Sequence, residues 1–329
     1  MSRDMMPSFE LYQPDSLENA LKLARDLEAE GWLLAGGQDS YDWFKDRAKR
    51  PEAVIDLSGI VALKGIRETD AGLEVGALTT LTEIADSEVV KSKYTVLARA
   101  AARVASPQIR NAGTLGGNLC QDARCWYYRS GVDCYRAGGN TCYADTPQGQ
   151  NREHCLFGAA RCIAVSPSDC APAVVALEAS IVIHDGKSER VVPAEEFFIG
   201  PSTDIRHMTI LKPGEIVTAV RLPKKWAQAK FYFEKVTDRA TWDFALVNVA
   251  AALQVDGGTI KDARIVCGAV ECVPRRLKAV EQAVIGQPQN EDTALIAGRI
   301  AAQGATPVQY NGYKIPLMEN LVRRAVRDS

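Results

Sequence analysis

Trp32-Leu33-Leu34-Ala35-Gly36-Gly37-Gln38-Asp39-Ser40 is an apolar run that breaks into paired glycines and then into polar residues. The apolar residues read as a short buried strand, and the glycine pair as the turn by which the chain leaves it. Paired glycines let a backbone approach a ligand and aim successive N–H groups at one point, which makes a nest for a phosphate or pyrophosphate. A second loop of this kind follows, Asn111-Ala112-Gly113-Thr114-Leu115-Gly116-Gly117-Asn118. Ser40, Thr114 and Asn118 add side-chain hydrogen-bonding groups to the two turns. Neither is a P-loop, because no Lys-Ser/Thr pair follows at the required spacing, and neither has the full Rossmann glycine spacing. Taken singly, such a glycine turn is more often only a turn.

Outward from the first turn, Leu17, Ala20, Leu21, Ala24 and Leu27 recur at helical spacing, with Asp15 or Ser16 to cap the helix and Gly31 to end it. Strands are expected over 54–57, 63–66 and 73–76, the last two joined across Asp70-Ala71-Gly72, and an alanine-rich helix over 94–105. From 112 to 158 periodicity is lost, and so long an irregular segment inside a compact domain is normally functional. Regular structure returns at 173–177 and in a hairpin around Asp185-Gly186, and a change of character after Pro223-Lys224-Lys225 marks a domain boundary. Beyond it, strands are expected over 231–236, 246–255 and 259–270, the latter two turning at Asp256-Gly257-Gly258, then helices over 275–285 and 292–302.

A chain of 329 residues, 47% hydrophobic, can bury a sizeable core and divides better into two or three domains than one. Its net charge of −2, with acids and bases interleaved, supplies no electrostatic attraction for nucleic acid or an anionic membrane, and neither is expected as a partner. No apolar run approaches the roughly 20 residues that span a bilayer, and the stretch from Met1 to Gln13 lacks the features of a secretory signal. The expectation is a cytoplasmic protein, with the periplasm open to it by co-export on a partner.

Seven of the nine cysteines, Cys120, Cys125, Cys134, Cys142, Cys155, Cys162 and Cys170, crowd into one stretch, and Cys267 and Cys272 lie outside it. In a large chain without a signal, thiolates gathered for a metal are a better reading than a disulfide framework. Four thiolates suit zinc as well as iron and sulfur, and spacing alone does not separate the two. His154 is the histidine alternative among the ligands.

With both glycine loops in this order and wording, the chain resembles the FAD-binding medium subunit of the xanthine oxidase (molybdenum hydroxylase) family, over nearly its whole length. The resemblance continues through Ser166-Pro167-Ser168-Asp169, Ala171-Pro172-Ala173, Phe233-Glu234-Lys235-Val236 and Phe244-Ala245. It implies FAD contacts at Ala35, Gly36, Gly37, Gln38, Asp39, Ser40, Asn111, Thr114, Gly116, Gly117, Asn118, Asp169 and Lys235, the last near the isoalloxazine ring. Lys235 read by itself is equally a solvated strand residue. The implied fold is α+β: a two-part FAD-binding domain of the vanillyl-alcohol-oxidase type over 1–225, with subdomains 1–57 and 58–225, and a small C-terminal α+β domain of the CO dehydrogenase flavoprotein type over 226–329. The cysteines match a subset of the family, similar to 4-hydroxybenzoyl-CoA reductase and bacterial molybdenum aldehyde oxidoreductases, with a 4Fe-4S cluster in a loop insert at about 120–162. The resemblance assigns Cys125, Cys134, Cys142 and Cys162 as its ligands, with Cys155 as the spare for Cys162, while packing explains Cys120 and Cys170.

The implied function is electron transfer between FAD, the cluster and the 2Fe-2S clusters of a small partner subunit. Substrate chemistry then belongs to a large molybdenum subunit, in a complex expected to be a doubled heterotrimer with an external electron donor or acceptor. No catalytic side chain is expected, since the cofactors carry the chemistry. The rivals are a vanillyl-alcohol-type flavin oxidase, disfavoured by the short last third, and a metal-binding scaffold without flavin. Substrate and direction of electron flow are not legible in this chain.

Overall fold

The apolar stripe that opens the chain becomes a helix in the computed structural model, which describes residues 6–329. The first five residues, part of the stretch read for an export signal, lie outside the described residues. Strand β1 (Glu10–Tyr12) leads into helix α1 (Leu17–Leu27), where the Ser16 hydroxyl accepts the N–H of Asn19 and Ala20, Leu21 and Ala24 form the buried face. Glu28, at φ 42°, ends this helix, and Gly31 instead opens strand β2 (Gly31–Leu34). Helix α2 (Ser40–Lys45) then crosses to β3 (Ala53–Asp56), and the three strands pair in parallel in the order β1-β3-β2. The chain therefore leaves β2 at its carboxyl end, where open parallel sheets place their ligands.

A second, antiparallel sheet begins with the hairpin of β4 (Ile66–Thr69) and β5 (Gly72–Gly76). The turn lies where the spacing predicts it, but the strand expected over 63–66 starts only at Ile66. Val61–Leu63 winds into a short 3-10 turn that buries Leu63 against α1. Helices α3 (Leu81–Asp86), α4 (Glu88–Lys93), α5 (Thr95–Ala102), α6 (Pro107–Ala112), α7 (Leu115–Leu119), α8 (Trp126–Arg129) and α9 (Cys170–Ala176) precede β6 (Ser180–His184). Thr80 and Glu83 form a reciprocal capping box at the start of α3. Strands β7 (Glu189–Pro193) and β8 (Ile216–Pro223), with the short helix α10 (Ala194–Phe197) between them, complete a sheet of order β4-β5-β8-β6-β7. The alanine-rich helix α5 is shorter than expected, and with Leu73, Val75, Val174, Val220 and Trp226 its residue Leu97 fills the central core.

The last third forms an antiparallel sheet of order β12-β11-β10-β9, from β9 (Lys230–Val236), β10 (Val247–Asp256), β11 (Thr259–Gly268) and β12 (Arg275–Arg276). Helices α11 (Lys278–Val284), α12 (Glu291–Ala301) and α13 (Lys314–Arg327) cover one face. Side chains alternate along β10, so Val249, Ala251 and Leu253 pack with those helices while Ala250 and Ala252 join the central core. The architecture is the expected mixed α and β one. Helix α13 is an addition to it: it carries Pro316 in its first turn, a position that tolerates proline, and buries the stripe formed by Met318, Leu321, Val322 and Ala325 in the C-terminal core. Among the described residues no helix is long and apolar enough to cross a membrane.

Candidate cofactor-binding site

The turn leaving β2 and the loop leading into α7 touch. A Cβ on Gly36 would meet the carbonyl oxygen of Ala112 at 2.1 Å, and Gly37 sits at φ 71°. Only glycine permits that approach and favours that backbone. In the second loop the amides are largely used at home. Leu115 and Gly116 donate to the carbonyls of Thr79 and Ala77 at 3.0 and 2.8 Å, and Gly117 donates to the capping hydroxyl of Thr114 at 3.1 Å. In the first loop, no hydrogen bond among the described residues engages the N–H of Gly36, Gly37, Gln38 or Asp39. One loop thus offers a run of free donors and the other its wall, which suits a pyrophosphate.

Several side chains expected to face the ligand are occupied elsewhere. Asp39 binds the Arg129 guanidinium through both oxygens, at 2.8 and 3.3 Å, and accepts the indole N–H of Trp43. Ser40 accepts the indole N–H of Trp32, Gln38 donates to the carbonyl of Gly36, and Asn111 accepts from Thr82. The Asn118 carbonyl accepts from the Ser168 hydroxyl at 2.6 Å and from the Cys170 N–H, which ties the second loop to the start of α9.

Asp169 and Lys235, read separately along the sequence, form one buried ion pair at 2.6 Å. Lys235 also donates to the carbonyls of Arg103 and Asp243, and Asn248 donates to Asp169 at 2.9 Å. Burial pushes the Asp169 carboxyl up, and the Lys235 ammonium opposes it. Lys235 is therefore not a solvated strand residue. Lys235 also lines a pocket of about 200 Å³ with Arg103, Arg110, Thr237, Arg239 and Asp243 among others.

The irregular segment brings Cys125, Cys134, Cys142 and Cys162 to the wall of one pocket. The backbone N–H groups of Tyr128 and Tyr127 near Cys125, of Asp145, Ile163 and Ala144 near Cys142, and of Ala164 near Cys162 act to lower these thiols. Burial pushes the Cys125 thiol up to about 12 and raises Cys142 and Cys162 as well. Cys155 is not in this wall; it is buried beside Cys272 and Cys162. Among the described residues no three His, Cys, Asp or Glu side chains converge tightly enough to hold one metal ion. Zinc with bonds of about 2.3 Å needs sulfurs roughly 3.8 Å apart, whereas a cubane spreads its four thiolates around a wider body.

His154 places Nε2 3.2 Å from the Cys125 sulfur, and burial with Lys314 and Arg124 nearby pushes its pKa down to about 4. Tyr127, Tyr128 and Tyr143 line the pocket, while Trp126 is exposed and donates to Glu153. Arg124 pairs with Glu153 at 2.5 Å. Sequence reasoning passed over Arg136, which also lines this pocket and is almost wholly buried. A position between two candidate ligands was the available signal, and burial is what sets Arg136 apart from the solvated arginines around it.

Comparison with known proteins agrees with this layout. Residues 7–225 match the model of the FAD binding domain in molybdopterin dehydrogenase, and residues 232–329 that of the CO dehydrogenase flavoprotein C-terminal domain. The chain is 34% identical to the aldehyde oxidoreductase FAD-binding subunit PaoB of Escherichia coli, covering 90% of this chain and 91% of the relative. It is 27% identical to the carbon monoxide dehydrogenase medium chain of Hydrogenophaga pseudoflava, covering 97% and 96%. A solved carbon monoxide dehydrogenase from Hydrogenophaga pseudoflava, which lacks the Mo-pyranopterin moiety of its molybdenum cofactor, superimposes with a TM-score of 0.78 at 27% identity, covering 98% of this chain and 97% of that one.

Proposed function

Because the chain belongs to the family of FAD-binding medium subunits of molybdenum hydroxylases, we propose that it serves such a complex as its electron-transfer flavoprotein, with the organic substrate transformed on a separate molybdenum subunit. The observation that carries this reading is the run of free N–H groups from Gly36 to Asp39 against the wall of the second glycine loop. Bound there, FAD supplies the redox chemistry, and the protein contributes binding, orientation and electrostatics. The backbone of residues 36–39 would hold the diphosphate, and Thr114, Gly116, Gly117 and Asn118 would shape its far side. By the family resemblance Lys235 would lie near the ring system, its ammonium held by Asp169 and by the carbonyls of Arg103 and Asp243. Ala35 and Ser40 flank the turn.

The finer reading adds a 4Fe-4S cluster held by Cys125, Cys134, Cys142 and Cys162, with a small 2Fe-2S subunit and a large molybdenum subunit as partners in a doubled heterotrimer. Its support is the shared pocket, the backbone N–H groups that act to lower the thiols and the buried guanidinium of Arg136 in the same wall. Such contacts compensate the charge of a thiolate cluster. We divide the chain functionally at about residue 225, after β8; in support, one family match ends at 225 and the other begins at 232. Substrate and external electron partner belong to other chains, and the cytoplasm is the proposed location.

The test is anaerobic purification with FAD, iron and zinc quantified on the wild type and on Cys125→Ser, Cys134→Ser, Cys142→Ser and Cys162→Ser. One FAD and about four irons per chain, with iron lost and flavin kept in each variant, is the expected result. Zinc in place of iron removes the cluster, and a wild type without flavin removes the flavoprotein reading.

A further inference from the structure

Arg136 lies in a short 3-10 turn directly after Cys134, with its side chain only 1% exposed. A guanidinium has five N–H donors and stays charged in a protein, so burying it demands an anion and acceptors around it. Here Nη2 reaches only sulfur, Met208 Sδ at 2.8 Å and Cys272 Sγ at 3.6 Å. The nearest carboxylate oxygen, on Asp122, stands 3.8 Å from Nη1, and that oxygen's residue is shared with Lys49 and Tyr128. Nε and Nη1 are buried without a hydrogen-bond partner. Donors left in this state are costly unless something else occupies their acceptor side. The same side chain lines the pocket walled by the four cysteines.

We infer that Arg136 is the built-in counter-cation of the anionic cluster those thiolates hold, donating to its sulfurs and setting its potential. The inference rests on the cluster reading above. Four thiolates around a cubane core leave a net negative charge, which grows by one on reduction. A fixed positive charge at the wall therefore stabilises the reduced form more than the oxidised one and raises the potential. Arg161, the other cation lining the pocket, is exposed and screened. Arginine suits the role because its donors are splayed in a rigid plane and its charge does not titrate.

The experiment is a dye-mediated redox titration followed by EPR on the assembled complex carrying wild-type chain, Arg136→Met or Arg136→Lys, with iron and FAD content measured on each. In Arg136→Met the cluster midpoint moves negative by about 59 mV or more, a tenfold or larger loss in the redox equilibrium. Arg136→Lys keeps the charge and returns most of that shift. If Arg136→Met holds no iron, an iron-replete Arg136→Lys with a midpoint near wild type supports the inference equally. An unchanged midpoint in Arg136→Met overturns it, as does a loss of iron that Arg136→Lys fails to restore while flavin is retained. Failure of the cluster reading itself shows separately, as a wild type without iron before any variant is made.

Discussion

A single methyl group at position 36 is enough to separate the two glycine loops, since the carbonyl of Ala112 occupies the space a Cβ needs. Gly36→Ala should cost about 1–3 kcal/mol of stability through overpacking and should empty the site. Flavin absorbance per chain and a urea denaturation curve, compared with wild type, check the two effects together. The Asp169–Lys235 pair makes the opposite kind of demand, because its cost appears when one member goes. Asp169→Ala strands the ammonium of Lys235 among carbonyls, and breaking a buried pair this way should destabilise the chain by about 3–5 kcal/mol. Replacing both, as Asp169→Asn with Lys235→Met, should recover part of that stability without recovering flavin affinity, which a double-mutant cycle measures. The family resemblance named both residues; it could not join them, because they are 66 positions apart and meet only when β9 pairs with β10 behind α9.

Among the elements, α8 has a consequence out of proportion to its single turn. Arg129 at its end grips Asp39 of the first glycine turn, donates to the carbonyls of Ala123 and Asp122, and stacks over the ring of Trp43 at 4.4 Å. The cysteine segment and the diphosphate turn are therefore one hydrogen-bonded body. Arg129→Ala should loosen the turn without touching any free N–H, weakening FAD binding by about 1–2 kcal/mol, near tenfold. A flavin titration of the apoprotein reads this, and unchanged affinity would refute the coupling. The irregular character of this segment was legible from its lost periodicity, and the crowding of its cysteines from residue type, while the choice of Cys125, Cys134, Cys142 and Cys162 came from the family resemblance. Its short helices α7 and α8 were not, since elements of five and four residues lie below the reach of any periodic pattern.

At the scale of the whole molecule, Glu178 clamps the first two thirds to the last. It follows α9 at φ 50°, accepts from Lys225 and Trp226 beyond β8, and pairs with Arg264 on β11 at 2.6 Å. Burial alone would push its carboxyl up, but hydrogen bonds from Lys225, Trp226 and Arg264 hold it below the ordinary value of 4.5. A depressed carboxylate contributes stability that is complete above about 4.5 and is lost as pH falls through the lower folded value. Glu178→Gln should therefore cost about 1 kcal/mol at neutral pH and almost nothing in strong acid, so that its unfolding curve converges with wild type as pH drops. Denaturant midpoints taken from pH 7 to pH 3 test this, and a constant offset across that range would contradict it.

Local spacing was sufficient for the elements whose partners are near in the chain. The amphipathic α1, the hairpins at Asp70, Asp185 and Gly257, and both glycine turns follow from apolar period and turn chemistry acting over a few residues. Motif wording was sufficient for the family resemblance, and the resemblance for the choice of candidate thiolates. What required the folded chain is whatever depends on burial and on distant neighbours. Gly31 begins a strand instead of ending a helix because β2 pairs with β3, and α13 exists because its apolar stripe closes over β10. Asp39 turns from the ligand to Arg129, and Arg136 differs from every solvated arginine of the segment only by the walls around it. Charge, hydrogen-bond satisfaction and access to water are properties of a place in three dimensions, and the order of residues along a chain does not carry them.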